Sequence, residues 1–221
     1  MGIQTIIDNA TYINFEHKKT TAQSISRSGR LLTAELASAV PFKFTVGMHE
    51  GLTYSENRDL LADIDVLDLT VEENIDIGST NSGLNYITGY QGDSSGIGSV
   101  TVNAATGNGG ANIYLNCTSA GSGNILFKKG DFIQPGSGYR YPYIVTAQVN
   151  HTTGSNVTVP VHRPVINQDS YSFSGKSLKV GVDVDFNVKL IQKPSYSVIP
   201  HDRIAFSRDF ELIEVVRKED G

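Results

Sequence analysis

The clearest signal along the chain is alternation of apolar and polar positions, the period of a half-buried strand. Over 182–191, Val182, Val184, Phe186, Val188 and Leu190 alternate with Asp183, Asp185, Asn187 and Lys189. Over 41–46, Phe42, Phe44 and Val46 alternate with Lys43 and Thr45, and Phe210 and Leu212 belong to a similar run within 206–216. Shorter stretches of strand character fall at 3–15 (one or two strands), 30–36, 73–77, 84–90, 99–104, 111–117, 170–173 and 177–179. The stretch 124–164 adds ILF and DFIQP on either side of Lys128-Lys129-Gly130-Asp131, then YPYIVTAQV and NVTVPV. Glycine and proline punctuate these runs as they do tight turns between strands.

One segment carries the helical period instead. Thr53 is followed three residues later by Glu56, the spacing of a capping box. Leu60, Leu61, Ile64 and Leu67 then share a face, which predicts a helix over about 53–68. Asp65 and Asp68 lie at its end, where the partial negative charge of the helix opposes them, so a frayed or 3₁₀-like finish is expected near Leu67.

The pattern divides the chain. Residues 1–97 and 165–221 hold the long strands, the aromatics and most of the charge, whereas 98–164 is rich in Gly, Asn and Thr. Breaks fall at Gly96-Ile97-Gly98 and between Pro160 and Pro164. The expected organisation is a mainly β protein, with a discontinuous β domain (1–97 and 165–221) and an inserted accessory β domain (98–164). A single sandwich with a long polar half is the alternative.

Composition narrows the function classes. With 221 residues, 39% hydrophobic and 19% charged, the chain can bury a core. No apolar run reaches the roughly 20 residues of a membrane span, and no signal peptide is expected. Cys117 is the one cysteine, which excludes an intrachain disulfide and a four-cysteine metal cage. The formal net charge of −5 argues against a dedicated nucleic-acid binder. Its distribution is uneven: from Glu50 to Asp76 nine acids face one base, Arg58, while His17 to Arg30 carries Lys18, Lys19, Arg27 and Arg30 and no acid. Such surfaces could pair subunits head to tail, or simply face water.

No catalytic pattern is present. The five histidines form no H-E-x-x-H pair, and the Gly-rich TGNGG is followed by neither lysine nor helix. Asp183 and Asp185 share a strand face but share it with Lys189, a solvated row more than a cation site. The expectation is a non-enzyme with no cofactor and no metal. Tyr139, Tyr141 and Tyr143 alternate in YRYPYIV, which makes them either a ring face packed on the module's own core or a partner surface.

Taken together, SISRSGRL (24–31), PFKFTV followed by the acidic helix, and LFKKGDFIQP…YPYIVTAQV…VPVHRPV resemble tail structural proteins of contractile-tailed bacteriophages. The group is that of tube initiators and baseplate hubs, related to tail tube and distal tail proteins. The resemblance implies a tail-tube-like β-barrel or sandwich with one flanking helix and an inserted small all-β domain. It also implies a ring-forming homo-oligomer, a hexamer by family expectation, at the baseplate hub or the start of the tail tube, in a virion tail assembled in the host cytoplasm. Partners would be neighbouring tail tube and baseplate proteins, with DNA only passing through the channel and no membrane. His17, Lys18, Lys19, Arg27 and Arg30 would belong to an arm reaching a neighbouring subunit. Glu56, Asp59, Asp63, Asp65, Asp68, Glu72 and Glu73 would lie near the lumen, and Tyr139, Tyr141 and Tyr143 would meet a partner. A phage head, connector or decoration protein is the alternative within the same class. A carbohydrate-binding or cell-wall-hydrolysing baseplate component is the alternative outside it.

Overall fold

The computed structural model describes residues 2–17, 21–25, 31–35, 40–48, 51–78, 83–94, 97, 100–117, 124–136, 138–151, 154–166 and 171–216. The chain opens with a short helix, α1 (Gln4–Asp8), and continues into β1 (Ala10–Glu16), β2 (Thr21–Ile25), β3 (Leu31–Glu35) and β4 (Lys43–Met48). Next come α2 (Arg58–Val66) and β5 (Glu72–Asp76). The middle supplies β6 (Val100–Val102), β7 (Asn112–Cys117), β8 (Ile125–Phe127), β9 (Phe132–Pro135), β10 (Tyr143–Ile144), β11 (Val149–Asn150) and β12 (Gly154–Pro160). The last part holds β13 (Leu178–Val180), β14 (Asp185–Gln192), β15 (Tyr196–Ile199), β16 (Arg203–Phe206) and β17 (Phe210–Glu214).

The principal sheet has the order β1-β4-β17-β14-β5 and is antiparallel throughout. The alternating runs sit where their period predicts: Phe42, Phe44, Val46, Phe186, Val188, Leu190, Phe210 and Leu212 are all buried. Phe186 lies at its centre, with edge-on contacts to Phe42, Phe44 and Phe132 at 5.5, 5.2 and 5.9 Å between ring centroids. Each such side chain contributes roughly 1.5–3 kcal/mol through area removed from water.

This sheet does not close, which corrects the expected tail-tube-like barrel. The smaller sheets are separate: β10-β9-β13, β12-β7-β6, β11-β8, β15-β16 and β2-β3. A barrel needs its edges to pair with each other. Here the outer edge of β5 is occupied by a side chain. The Gln4 amide accepts the Asp76 N–H at 2.9 Å and donates to the Asp76 carbonyl at 3.0 Å, taking the place of a further strand.

Three local readings also change. Residues 4–8 are helical and not a strand, which sets Ile3, Ile6 and Ile7 at the i, i+3, i+4 spacing, all three buried. Glu73 holds the start of that turn, accepting the Ile3 N–H and, at 3.4 Å, the Gln4 N–H. The second helix begins at Arg58, later than the expected Thr53, and nine residues are too short for the flanking helix foreseen. Thr53 and Glu56 bond each other's side chains at 2.6 Å, so neither caps the backbone in the reciprocal manner of a capping box. The 3₁₀-like finish is present: the Leu67 N–H reaches back three residues to the Ile64 carbonyl. Residues 84–88 form turns and no strand.

Two hydrophobic cores result. The first takes its buried residues from the outer segments and from Phe132. The second runs from Val100 to Phe173, past residue 164, and includes Ile133. Phe132 and Ile133 are successive residues of β9 and point to opposite faces, so this one strand is common to both cores. Gln134, buried in the same strand, bonds the Asp185 backbone through both its amide atoms, accepting at 3.0 Å and donating at 3.2 Å.

Candidate functional site

A cleft of about 700 Å³ lies between the edge strand β1 and the hairpin β15–β16. Tyr12, Ile199, Arg203, Phe206, Arg208 and Asp209 are among the residues that line it. The hairpin is formed locally. Ile199 pairs with Arg203 across Pro200-His201-Asp202, and both His201 (φ 68°) and Asp202 (φ 59°) adopt the left-handed backbone that short hairpin turns require.

The hairpin is then tied down at both ends. At its tip, Asp202 accepts the Ser55 N–H at 3.1 Å and the Ser55 hydroxyl, and the Ile204 N–H reaches the Leu52 carbonyl at 2.9 Å. At its base, Lys193 donates to the Ile64 and Asp65 carbonyls at 3.1 and 2.9 Å, where the end of α2 carries partial negative charge. Tyr196 donates to the Asp65 carboxylate at 3.3 Å. On the opposite wall the Tyr12 ring lies directly over Gly47: a Cβ there would meet ring carbon Cε1 at 2.1 Å. Ile199 and Tyr12 remain 42% and 47% exposed. Arg203 and Arg208 are exposed and make no ion pair among the described residues.

A second exposed feature is the turn from α2 into β5. Val66, Leu69 and Val71 are 77%, 43% and 54% exposed, with the exposed acids Asp65 and Asp68 between them. The turn is shaped by Asp68, whose Oδ1 accepts the Thr70 N–H at 2.7 Å and the Thr70 hydroxyl at 2.8 Å. These bonds to its charged form hold the Asp68 carboxyl below its ordinary range.

The residues expected from sequence are scattered. Of the acidic set, Glu56, Asp59, Asp65 and Asp68 are exposed and Asp63 is half-buried. Glu72, within 3.7 Å of Arg140, and Glu73, holding α1, are half-buried and serve the fold. Of the arm, His17 is half-buried, 4.3 Å from His162 between ring centroids and 5.2 Å from Phe42, so it belongs to the interior. Lys18, Lys19, Arg27 and Arg30 lie outside the described residues; β2 and β3, on either side of 26–30, pair antiparallel.

The tyrosine row is not a surface. Tyr139, Tyr141 and Tyr143 are 3%, 3% and 0% exposed within the second core, which corrects the partner-surface reading in favour of core packing. Their hydroxyls close a circuit. Tyr139 donates to the Ile166 carbonyl at 2.6 Å, Tyr143 lies 2.5 Å from Tyr139, and the Ile166 N–H donates to Tyr143 at 2.9 Å. Burial pushes both phenols up, Tyr143 to about 12 and Tyr139 further.

The chemistry available elsewhere is structural. Asp185 is engaged by Lys179, and the Cys117 thiol is pushed up by burial, which suppresses the reactive thiolate. Among the described residues no three His, Cys, Asp or Glu side chains converge as a metal site. No helix among them is long and apolar enough to cross a membrane.

Sequence reasoning missed Tyr12, Ile199, Arg203 and Arg208. A signal was available: Val198 and Ile199 are neighbours in a strand, so they point to opposite faces, and a two-stranded hairpin cannot bury both. No protein-family model and no curated protein sequence matches this chain.

Proposed function

We propose that the protein is a structural, self-associating subunit of a bacteriophage tail, assembling as a ring near the baseplate, and not an enzyme. The observation that carries self-association is the grouping of exposed large hydrophobics: Val66, Leu69 and Val71 on the α2–β5 turn, and Tyr12 and Ile199 in the β1/β15–β16 cleft. Apolar side chains gathered on a monomer's surface mark a site that another surface covers. The phage-tail assignment rests on the resemblance carried by residues 24–31, 41–46 with the acidic helix after them, 126–135, 141–149 and 159–165. The reading needs no barrel. An open sheet whose elements are fastened by side-chain bonds can present a rigid face to a neighbour.

Mass photometry and sedimentation velocity from nanomolar to high micromolar protein test self-association, with negative-stain imaging of the largest species. Concentration-dependent oligomers or rings are expected, and a strict monomer over that range would sink the reading. Antibody labelling of virions produced with this chain tests location. Label at the tail supports the phage assignment, and label confined to heads moves the protein to the capsid.

A further inference from the structure

We propose that the β1/β15–β16 cleft receives the α2–β5 turn of a second copy of this chain. The inference rests on the self-association proposed above and names the two surfaces that perform it.

The two features are complementary in kind. The cleft combines apolar walls, Tyr12, Ile199 and Phe206, with two exposed arginines, Arg203 and Arg208, and one half-buried carboxylate, Asp209, which leaves it net basic. The turn combines apolar side chains, Val66, Leu69 and Val71, with Asp65 and Asp68. Arginine guanidinium and carboxylate match in shape and hydrogen bonding as well as in charge. Acid and apolar groups alternate along the turn, and base and apolar groups are interspersed along the cleft. That mixed pattern fixes register as well as attraction.

Both surfaces are pre-shaped, which limits the ordering cost of association. The Asp68–Thr70 bonds set the turn, and the cap that Lys193 places on α2 holds its base. Asp202 and Tyr196 hold the hairpin. Within one molecule no residue of 65–71 lines the cleft, although Asp65 is bonded to Tyr196 of the hairpin. A contact between two different patches is heterologous. It repeats from copy to copy, closing into a ring or growing as a filament.

The test uses charge reversal on each side of the contact in the full-length protein. R203E/R208E reverses the cleft and D65K/D68K reverses the turn. D65N/D68N, which removes the charge but keeps an acceptor for Thr70 and for Tyr196, should also weaken association and separates lost charge from a lost turn or hairpin anchor. Each reversal alone should lose association by roughly ten- to a hundredfold, since attraction becomes like-charge repulsion on one side only. Their equimolar mixture should recover it, because an unchanged turn then meets an unchanged cleft and a lysine turn meets a glutamate cleft. The chain bearing all four changes should self-associate again. Ile199→Asp, a single exposed position, should weaken association without touching either charge set, and circular dichroism checks that each variant remains folded.

Wild-type oligomers with undiminished association of R203E/R208E and D65K/D68K would overturn this contact while leaving self-association standing. A mixture that fails to recover would overturn the pairing of these two surfaces. A strictly monomeric wild type would overturn both proposals. A cleft that binds only an acidic peptide of unrelated sequence, with no effect of turn reversal on assembly, would assign it to another partner.

Discussion

Arg163 and Glu214 form a two-armed ion pair inside the protein, 2.6 Å at each arm, with side chains 1% and 0% exposed. Arg163 also donates to the Val40 and Pro142 carbonyls at 3.0 and 2.8 Å, and Glu214 accepts the Phe42 N–H at 3.0 Å. One guanidinium therefore joins the bend after β12, the segment before β10, the entry to β4 and the end of β17. Its flat face lies 5.1 Å from the Phe42 ring centroid and 5.4 Å from that of Tyr143.

Breaking that pair on one side leaves a buried charge unpaired. Arg163→Met should destabilise the fold by about 3–5 kcal/mol in urea unfolding, and Arg163→Met with Glu214→Leu by distinctly less. A double variant no better than the single would show that the backbone bonds of Arg163, and not its charge, dominate.

His162 lies beside this pair, with Nδ1 accepting the Ile144 N–H at 2.9 Å. Burial first, then the nearby positive charge of Arg163 and of His17, holds its pKa down to about 2 from an ordinary 6.5. The unfolded chain takes up the proton and the folded one does not. The stability present above about pH 6.5 should therefore fall as pH drops from there toward 2, by at most about 1.4 kcal/mol per pH unit. Unfolding free energy measured between pH 7.5 and 4.5 checks this. His162→Gln, which retains an acceptor, should flatten the profile, and an unchanged slope would place the effect on other groups.

The tyrosine circuit gives a graded expectation. Tyr143→Phe removes the acceptor of the buried Ile166 N–H and should cost about 1–3 kcal/mol. Tyr139→Phe, which leaves the Ile166 carbonyl without its donor, should cost a similar amount, and the double variant less than the sum, since the two share one circuit. In an absorbance titration to pH 11 neither phenol should ionise in the folded protein.

Gln4 guards the outer edge of β5. Gln4→Val removes both bonds to the Asp76 backbone and should cost about 1–2 kcal/mol. It should also raise light scattering on storage, because an uncovered edge accepts foreign strands. Loss of stability with no change in scattering would confine the role of Gln4 to fastening α1.

The sequence by itself determined the β class and the strands with strict alternation. In β4, β14 and β17 a one-residue slip would carry Phe44, Val46, Phe186, Val188, Leu190, Phe210 and Leu212 to water. The alternation nevertheless runs past the strands themselves: Gly181–Asp183 is a 3₁₀ turn and 207–209 separates β16 from β17. The Lys-Lys-Gly-Asp turn was equally legible, since Gly130 at φ 102° needs the conformational freedom only glycine offers. Tertiary structure decided what depends on partners remote in the chain. Ile3, Ile6 and Ile7 coil into a helix because Glu73 and Asp76 bond its first turn. The principal sheet stays open because Gln4 fills an edge, and no local pattern records which edge a distant amide will occupy. The tyrosine row turned inward because Ile166 offered its hydroxyls two backbone partners. The cleft arose where β1 met a hairpin nearly two hundred residues later. Charge and hydrophobicity are properties of single residues, but a surface exists only where the folded chain brings them side by side.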